Sequence, residues 1–334
     1  GLKPPVSTSI TTGKKPLKRS AIRGILDSGN KGCENKVMRF KIPINNQRNP
    51  RFFILALGLL LSALWVAAIA DEDPRDDRSL FWSIYKDDQR MGYLLGTIHS
   101  EDPRVLEFSE DFLSKLATNK VFAMEMVPDA FTLEDLTNYM YYPPGQGLEP
   151  VIGPERFHAL EAALSPYRVP PEFISRMKPW AAMMTLSTPP PETGFFMDLS
   201  LSLRASGNGL ELVGLETLEQ QLSFLENMPV PMQVSLLDQA IAESGKVGEI
   251  HDQMVNAYLE NNLVTLQAMS DEQLRVVGES ASAYFIESGI NERNHRMAKT
   301  LLNQLESKTV FVAVGALHLP GEEGMINILR EHGY

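Results

Sequence analysis

Hydrophobic positions run in short continuous or alternating stretches near the two ends of the folded part of the chain and recur at helical spacing between them. Leu80-Phe81-Trp82-Ser83-Ile84-Tyr85 and Arg90-Met91-Gly92-Tyr93-Leu94-Leu95 flank Asp87-Asp88-Gln89, a pattern that predicts a β-hairpin. Leu106, Phe112, Leu113 and Leu116 recur at helical spacing, predicting a helix from about Glu107 to Thr118. Three further runs read as strands: Val121 to Glu125, Leu210 to Glu216, and Val310 to Val314. Helices are expected over 135–141, 154–164, 174–186 and 292–305, with a longer helical block from Leu218 to Ala283. The expected fold class is α/β, a central mixed sheet flanked by helices and carrying helical insertions.

The stretch 128–205 contains no strand run of its own, so it reads as a helical insertion or lid; within it Pro170-Pro171 and Pro189-Pro190-Pro191 bracket the helix expected over 174–186. Within it, Lys178-Pro179-Trp180 either lines the wall of a cleft beneath the lid or anchors a helix in the core.

Charge and the N-terminal region change where such a fold would work. Residues 38–70 have the parts of an export signal: Arg39, Lys41, Arg48 and Arg51, an apolar run from Phe52 to Ile69, and Ala68-Ile69-Ala70 before acidic residues. The run 52–70 is long enough to span a bilayer if retained, so membrane association through an N-terminal anchor is the alternative to a cleaved signal. Either way the folded part is expected outside the cytoplasm, periplasmic or secreted. Residues 1–37 are basic and without amphipathic period, which reads as a non-native or disordered extension ahead of Met38. Of 31 basic and 42 acidic residues, 12 and 2 fall in the first 70, leaving 19 against 40 and a net charge of −21 beyond Ala70. That balance disfavours nucleic acid and anionic membrane faces as partners. The single cysteine, Cys33, precedes Met38, so residues 71–334 hold no disulfide, thiolate metal ligand or thiol nucleophile, and histidine and carboxylate remain as ligands.

Candidate chemistry sits at the ends of the predicted strands. Gly96-Thr97-Ile98-His99 and Gly315-Ala316-Leu317-His318 each follow an apolar run, and each delivers an imidazole where ligand crevices of α/β sheets lie. A single such match is often an ordinary turn; two, in a chain with six histidines, point to a shared metal ion or substrate. Glu125 and Glu216 also end strand runs. Each can ligate a metal, act as a general base or cap the following helix, and the Thr217-Leu218-Glu219-Gln220 that follows Glu216 makes capping an equal reading for it. Arg293 and Asn294 open the last long helix, where they either form a solvated turn or hold a developing oxyanion. His295, two residues on from Arg293, faces elsewhere.

Taken together, Gly-Thr-Ile-His, Lys178-Pro179-Trp180, Gly214-Leu215-Glu216-Thr217, Glu292-Arg293-Asn294 and Val314-Gly315-Ala316-Leu317-His318 resemble the TraB/GumN/TIKI family, in order and over nearly all of 80–334. The resemblance implies a fold like that of ChaN and the erythromycin esterases across 71–334. It also implies a metal-dependent hydrolase, most specifically a peptidase of the TIKI/TraB type acting on peptide or protein. By motif, His99, His318 and Glu125 would form the metal or catalytic centre, while Glu216, Arg293 and Asn294 occupy further catalytic positions. The resemblance favours Mn²⁺ or Co²⁺; ligand type alone fits Mn²⁺, Fe²⁺ or Zn²⁺ equally. Two other readings stay open: a ChaN-like haem- or iron-binding module, and a metal-independent esterase with His99 as general base.

Overall fold

The computed structural model describes residues 2–3, 78–127 and 130–334. The export signal at 38–70 and all but two residues of the basic extension lie outside the described residues.

The hairpin forms as expected. Strands β1 (Phe81–Lys86) and β2 (Gln89–Thr97) pair antiparallel, and the turn between them places Asp87 and Asp88 at φ 47° and 61°. Positive φ at both central residues gives a turn whose twist matches that of the flanking strands, and Asp tolerates it better than most residues. On the outer side of β1, Lys3 exchanges two backbone hydrogen bonds with Ser83 (3.2 and 2.9 Å), and Leu2 is buried.

The remaining strands are β3 (Val121–Met124), β4 (Glu211–Gly214) and β5 (Val310–Gly315). They complete a five-stranded mixed sheet in the order β1-β2-β5-β3-β4, with every pairing beyond the hairpin parallel. β5 is central, and all of Val310 to Val314 is buried, the signature of a parallel strand covered on both faces.

Ten α-helices of seven or more residues matter below. They are α1 (Glu110–Ala117), α2 (Pro154–Leu164), α3 (Pro179–Leu186), α4 (Met197–Gly207) and α5 (Leu218–Glu226). The others are α6 (Val230–Glu243), α7 (Val247–Leu259), α8 (Leu263–Val277), α9 (Glu292–Leu305) and α10 (Met325–Glu331). Several boundaries differ from the sequence expectation for identifiable reasons. α1 starts at Glu110 because the Ser109 side chain caps it, accepting from the Phe112 N–H at 3.2 Å. The helix expected over 174–186 is interrupted: Lys178 precedes Pro179, is held extended (φ −76°, ψ 152°), and α3 begins after it. The helix expected at 135–141 spans Ala130–Met140. Thr217 and Gln220 form a reciprocal capping box at the start of α5.

The buried side chains form two clusters. One surrounds the sheet, with Trp82, Phe112, Phe122 and Phe311 among its largest members. The other is built by helices alone, chiefly α2, α3, α5 and α6, and contains Trp180. Trp180 is 3% exposed, and its indole N–H donates to Glu226 at 2.8 Å. It is a core anchor of the helical part rather than a wall of an open cleft. Lys178 bonds the same carboxylate at 2.5 Å.

Candidate functional site

Strand register explains why distant motifs converge. β2 and β5 are neighbours, with Gly96 opposite Val314 and Thr97 opposite Gly315. The two Gly-x-x-His segments therefore leave the sheet side by side, from the carboxyl ends of parallel strands. β3 lies on the other side of β5 and ends one residue before Glu125; β4 follows, and Glu216 donates its backbone N–H to the Glu125 carbonyl at 2.9 Å. Across the sheet the order is His99, His318, Glu125, Glu216, all at one end.

Arg293 joins the two carboxylates. Its Nε donates to Glu216 Oε1 at 2.9 Å and to Oε2 at 3.2 Å, and its Nη2 donates both to Glu216 Oε1 and to Glu125 Oε2, the latter at 2.6 Å. The Arg293 side chain is 4% exposed, Glu216 fully enclosed, and Glu125 21% exposed, so solvent reaches only one member of the triad appreciably. Burial works against the guanidinium charge, but the two carboxylates overcome it and hold Arg293 firmly protonated. Burial would likewise raise Glu125. Arg293, His318 and the Gly315 N–H reverse that and bring it down to about 2. Glu216 is pushed the other way: burial, helped by the Glu125 charge, raises it despite Arg293.

Gly315 takes part through its backbone, donating its N–H to Glu125 Oε1 at 2.8 Å. A Cβ at that position would stand 3.2 Å from the same oxygen, so glycine permits the close approach. Glu125 Oε2 also accepts from Gln221 Nε2 at 3.2 Å.

His318 is buried and oriented by Asn294. The Asn294 amide nitrogen donates to the Glu323 carbonyl at 2.7 Å, which turns its oxygen toward His318 Nδ1, 2.7 Å away. Nδ1 is then the protonated nitrogen, and Nε2 presents its lone pair toward Glu125 Oε1 at 3.7 Å. Burial lowers the imidazole to about 4, with Glu125 opposing and Arg293 assisting, so it is neutral at pH 7. Asn294 is fully buried with both amide ends engaged. Its contacts in the structure are with the Glu323 carbonyl and His318.

His99 stands apart from this group. It is exposed, and its ring lies 3.9 Å from that of Phe196, centroid to centroid. Its electrostatic partner is Asp198 in the first turn of α4, whose carboxylate accepts from Thr97 Oγ1 at 2.6 Å. Burial raises the Asp198 carboxyl; His99 and Thr97 oppose this, and the Glu125 charge adds to it. Asp198 thus feels the charges of both His99 and Glu125, and the sequence alone does not single it out. The only sequence signal is an acid after Phe195-Phe196-Met197, with no strand run to mark it. Tyr258 closes the back of this region, donating its hydroxyl to the Gly96 carbonyl at 2.9 Å. His295 faces away as expected, 2.6 Å from Glu323.

The structure therefore brings together Glu125, Glu216, Arg293, Asn294 and His318 through direct contacts, while His99 makes its ring contact with Phe196 and acts electrostatically on Asp198. Among the described residues, no group of three or more His, Cys, Asp or Glu side chains is disposed to hold a metal ion. The donor chemistry nevertheless suits a divalent cation: a neutral imidazole nitrogen and an ionised carboxylate face one another, and the second imidazole nitrogen is fixed by an amide.

Fold and site together define an α/β protein with an imidazole–carboxylate–guanidinium centre at the carboxyl end of a parallel sheet. The model of the TraB/PrgY/gumN family matches residues 80–334, and the chain belongs to that family. Among curated proteins it is 24% identical over 314 residues to "Metalloprotease TIKI1" of Danio rerio, covering 78% of this chain and 63% of that one. It is 23% identical over 312 residues to "Metalloprotease TIKI2" of Xenopus tropicalis, covering 78% and 59%. With "Metalloprotease TIKI homolog" of Nematostella vectensis it shares 28% over 161 residues, 41% and 34% of the two chains. The chain spans about three fifths of the length of the first two of these relatives. No solved structure matches.

Proposed function

We propose that this chain is an exported, metal-dependent hydrolase that cleaves peptide or protein substrates. The observation that carries the reading is the buried Glu216–Arg293–Glu125 triad beside an oriented, neutral His318, at the strand ends that also deliver His99. The names of the relatives support peptide chemistry. His318 and Glu125 would hold the cation, with His99 of the neighbouring motif as third ligand; the family resemblance favours manganese. Export rests on residues 38–70 as signal or anchor. Among the described residues no helix is long and apolar enough to cross a membrane. The helical stretch 128–205 is proposed as the insertion that shapes the substrate.

A bound divalent cation would supply Lewis acidity toward a carbonyl oxygen and a water acidified enough to attack it. The protein's own groups do the rest. Arg293 keeps Glu125 ionised at neutral pH, so that the carboxylate stays available as an anionic ligand. The Gly315 N–H fixes one of its oxygens and Gln221 the other, limiting its rotation. Asn294 fixes the His318 tautomer. Asp198, anchored by Thr97, positions the charge beside His99. Arg293 supports these roles from a buried position and stabilises negative charge at Glu125 rather than touching substrate.

The test is proteolysis of a degenerate peptide library by the purified chain after chelator treatment, with and without manganese. Cleavage that depends on the added ion supports the reading. Cleavage that survives complete metal removal would favour the esterase-like alternative, and a visible Soret band in the purified protein would favour haem binding.

A further inference from the structure

The loop that follows the second Gly-x-x-His motif, residues 319–324, is built as a tight turn. The Gly324 N–H donates to the Gly321 carbonyl at 3.1 Å, and the Ile326 N–H to the Leu319 carbonyl at 3.3 Å. Asn327 Nδ2 donates to the Glu322 carbonyl at 2.8 Å. A Cβ at Gly324 would collide with the carbonyl oxygens of Pro320 and Leu319, so the turn closes only around glycine. Glu323 sits within this turn and is tied to α9 twice. Its carbonyl accepts from Asn294 Nδ2 at 2.7 Å, and its carboxylate lies 2.6 Å from Nε2 of the next residue, His295.

We infer that Glu323 is a positioning residue for His318: through the Asn294 amide it decides which imidazole nitrogen carries no proton. The inference rests on the reading in which His318 Nε2 faces a cation. Left to itself, the imidazole would be drawn the other way, because Nε2 lies 3.7 Å from Glu125 Oε1 and a proton there would point at an anionic oxygen. The Asn294 oxygen, 2.7 Å from Nδ1, is the closer acceptor and takes the proton to that side. An amide can present either end, however. Flipped, Asn294 would offer its NH₂ to Nδ1, and the proton would pass to Nε2 and close its lone pair. Glu323 blocks that flip, since a backbone carbonyl only accepts and must face the NH₂. Asn294 is fully buried, so neither end can turn to solvent instead.

The tie therefore runs from the surface to the site. The His295 and Glu323 side chains are 59% and 51% exposed, whereas His318 is enclosed. The turn around Gly324 carries most of the constraint, and the exposed pair adds a modest share. His295, which faces away from the site, acts on it through Glu323 alone.

Two measurements on the metal-free full chain at pH 7 test this. Nitrogen-15 NMR should show wild-type His318 protonated at Nδ1 and not at Nε2, and Gly324→Ala should shift it toward the Nε2-protonated form. Hydrogen exchange of the Asn294 side-chain amide should quicken about 2- to 5-fold in His295→Ala and in Glu323→Ala, the scale of losing an exposed pair. In Glu323→Gln, whose amide oxygen still accepts from His295, it should return to the wild-type rate. The Gln233 side-chain amide, buried in the helical cluster and bonded to the Met228 carbonyl, should exchange at one rate in all these proteins, which a general loss of stability would not allow. A proton on Nε2 in wild type, or Asn294 exchange that is unmoved in both exposed-pair variants or moves in step with Gln233, overturns the inference. Should Gly324→Ala fail to fold, the exposed-pair variants decide alone. Should the tautomer and exchange follow expectation while wild type binds no manganese, the cation reading fails and the positioning role stands.

Discussion

Replacing Arg293 by methionine keeps most of the side-chain volume and removes the charge shared by Glu125 and Glu216. Two carboxylates, one fully enclosed and one 21% exposed, are then left together without a counter-ion. Breaking a buried pair this way costs about 3–5 kcal/mol. The native ionisation gives an independent figure: Glu125 held at about 2 rather than 4.5 corresponds to roughly 3 kcal/mol of stability at neutral pH. Because the folded value lies below the unfolded one, that contribution is fully present above pH 4.5 and is lost as pH falls through about 2. Urea unfolding of wild type and Arg293→Met should therefore differ by about 3–5 kcal/mol at pH 7. The difference should shrink to less than half by pH 3, as the carboxylates of the variant protonate. A gap that stays constant with pH, or one below about 1 kcal/mol at pH 7, would refute the claim that Arg293 holds two charged carboxylates in place.

Other consequences follow from single contacts. His318, lowered to about 4 from 6.5, should make wild-type stability fall as pH drops from 6.5 to 4; His318→Gln should remove that part of the slope, read from melting temperature against pH. Gly315→Ala places a methyl 3.2 Å from Glu125 Oε1; hydrolysis should fall about 10-fold with the fold intact by circular dichroism, and unchanged kinetics would show that the contact is slack. Glu101 accepts from the backbone N–H groups of Glu192, Thr193 and Gly194 (3.0, 2.6 and 3.0 Å), tying down the segment that leads to Phe196 over His99. Glu101→Gln should be nicked there sooner in limited proteolysis, and equal rates would count against the tether.

The strands and the residues at their ends were legible because short apolar runs closed by Gly-x-x-His or Glu carry both the period and the terminus. β5, buried from Val310 to Val314, is the clearest case. The hairpin was legible through its Asp87-Asp88 turn. Partnerships across the fold were not: Arg293 meets Glu216 77 positions away and Glu125 168 positions away, and nothing local distinguishes it from a solvated first-turn arginine. Asp198 is not legible because no apolar run ends at it to mark a site; it lies in the first turn of α4. Nothing in the sequence around Asn294 signals its buried, two-ended bonding to the Glu323 carbonyl and His318. Trp180, open to two readings in sequence, is settled by its place in the helical core.

The cation site proposed around His318 and Glu125, with Asn294 orienting the imidazole, is open to manganese titration calorimetry on metal-stripped wild type, His318→Ala and Asn294→Ala. One bound ion is expected in wild type, none in His318→Ala, and an affinity about 10- to 100-fold weaker in Asn294→Ala, as when the group orienting a ligand is lost. Equal binding by all three proteins would contradict it.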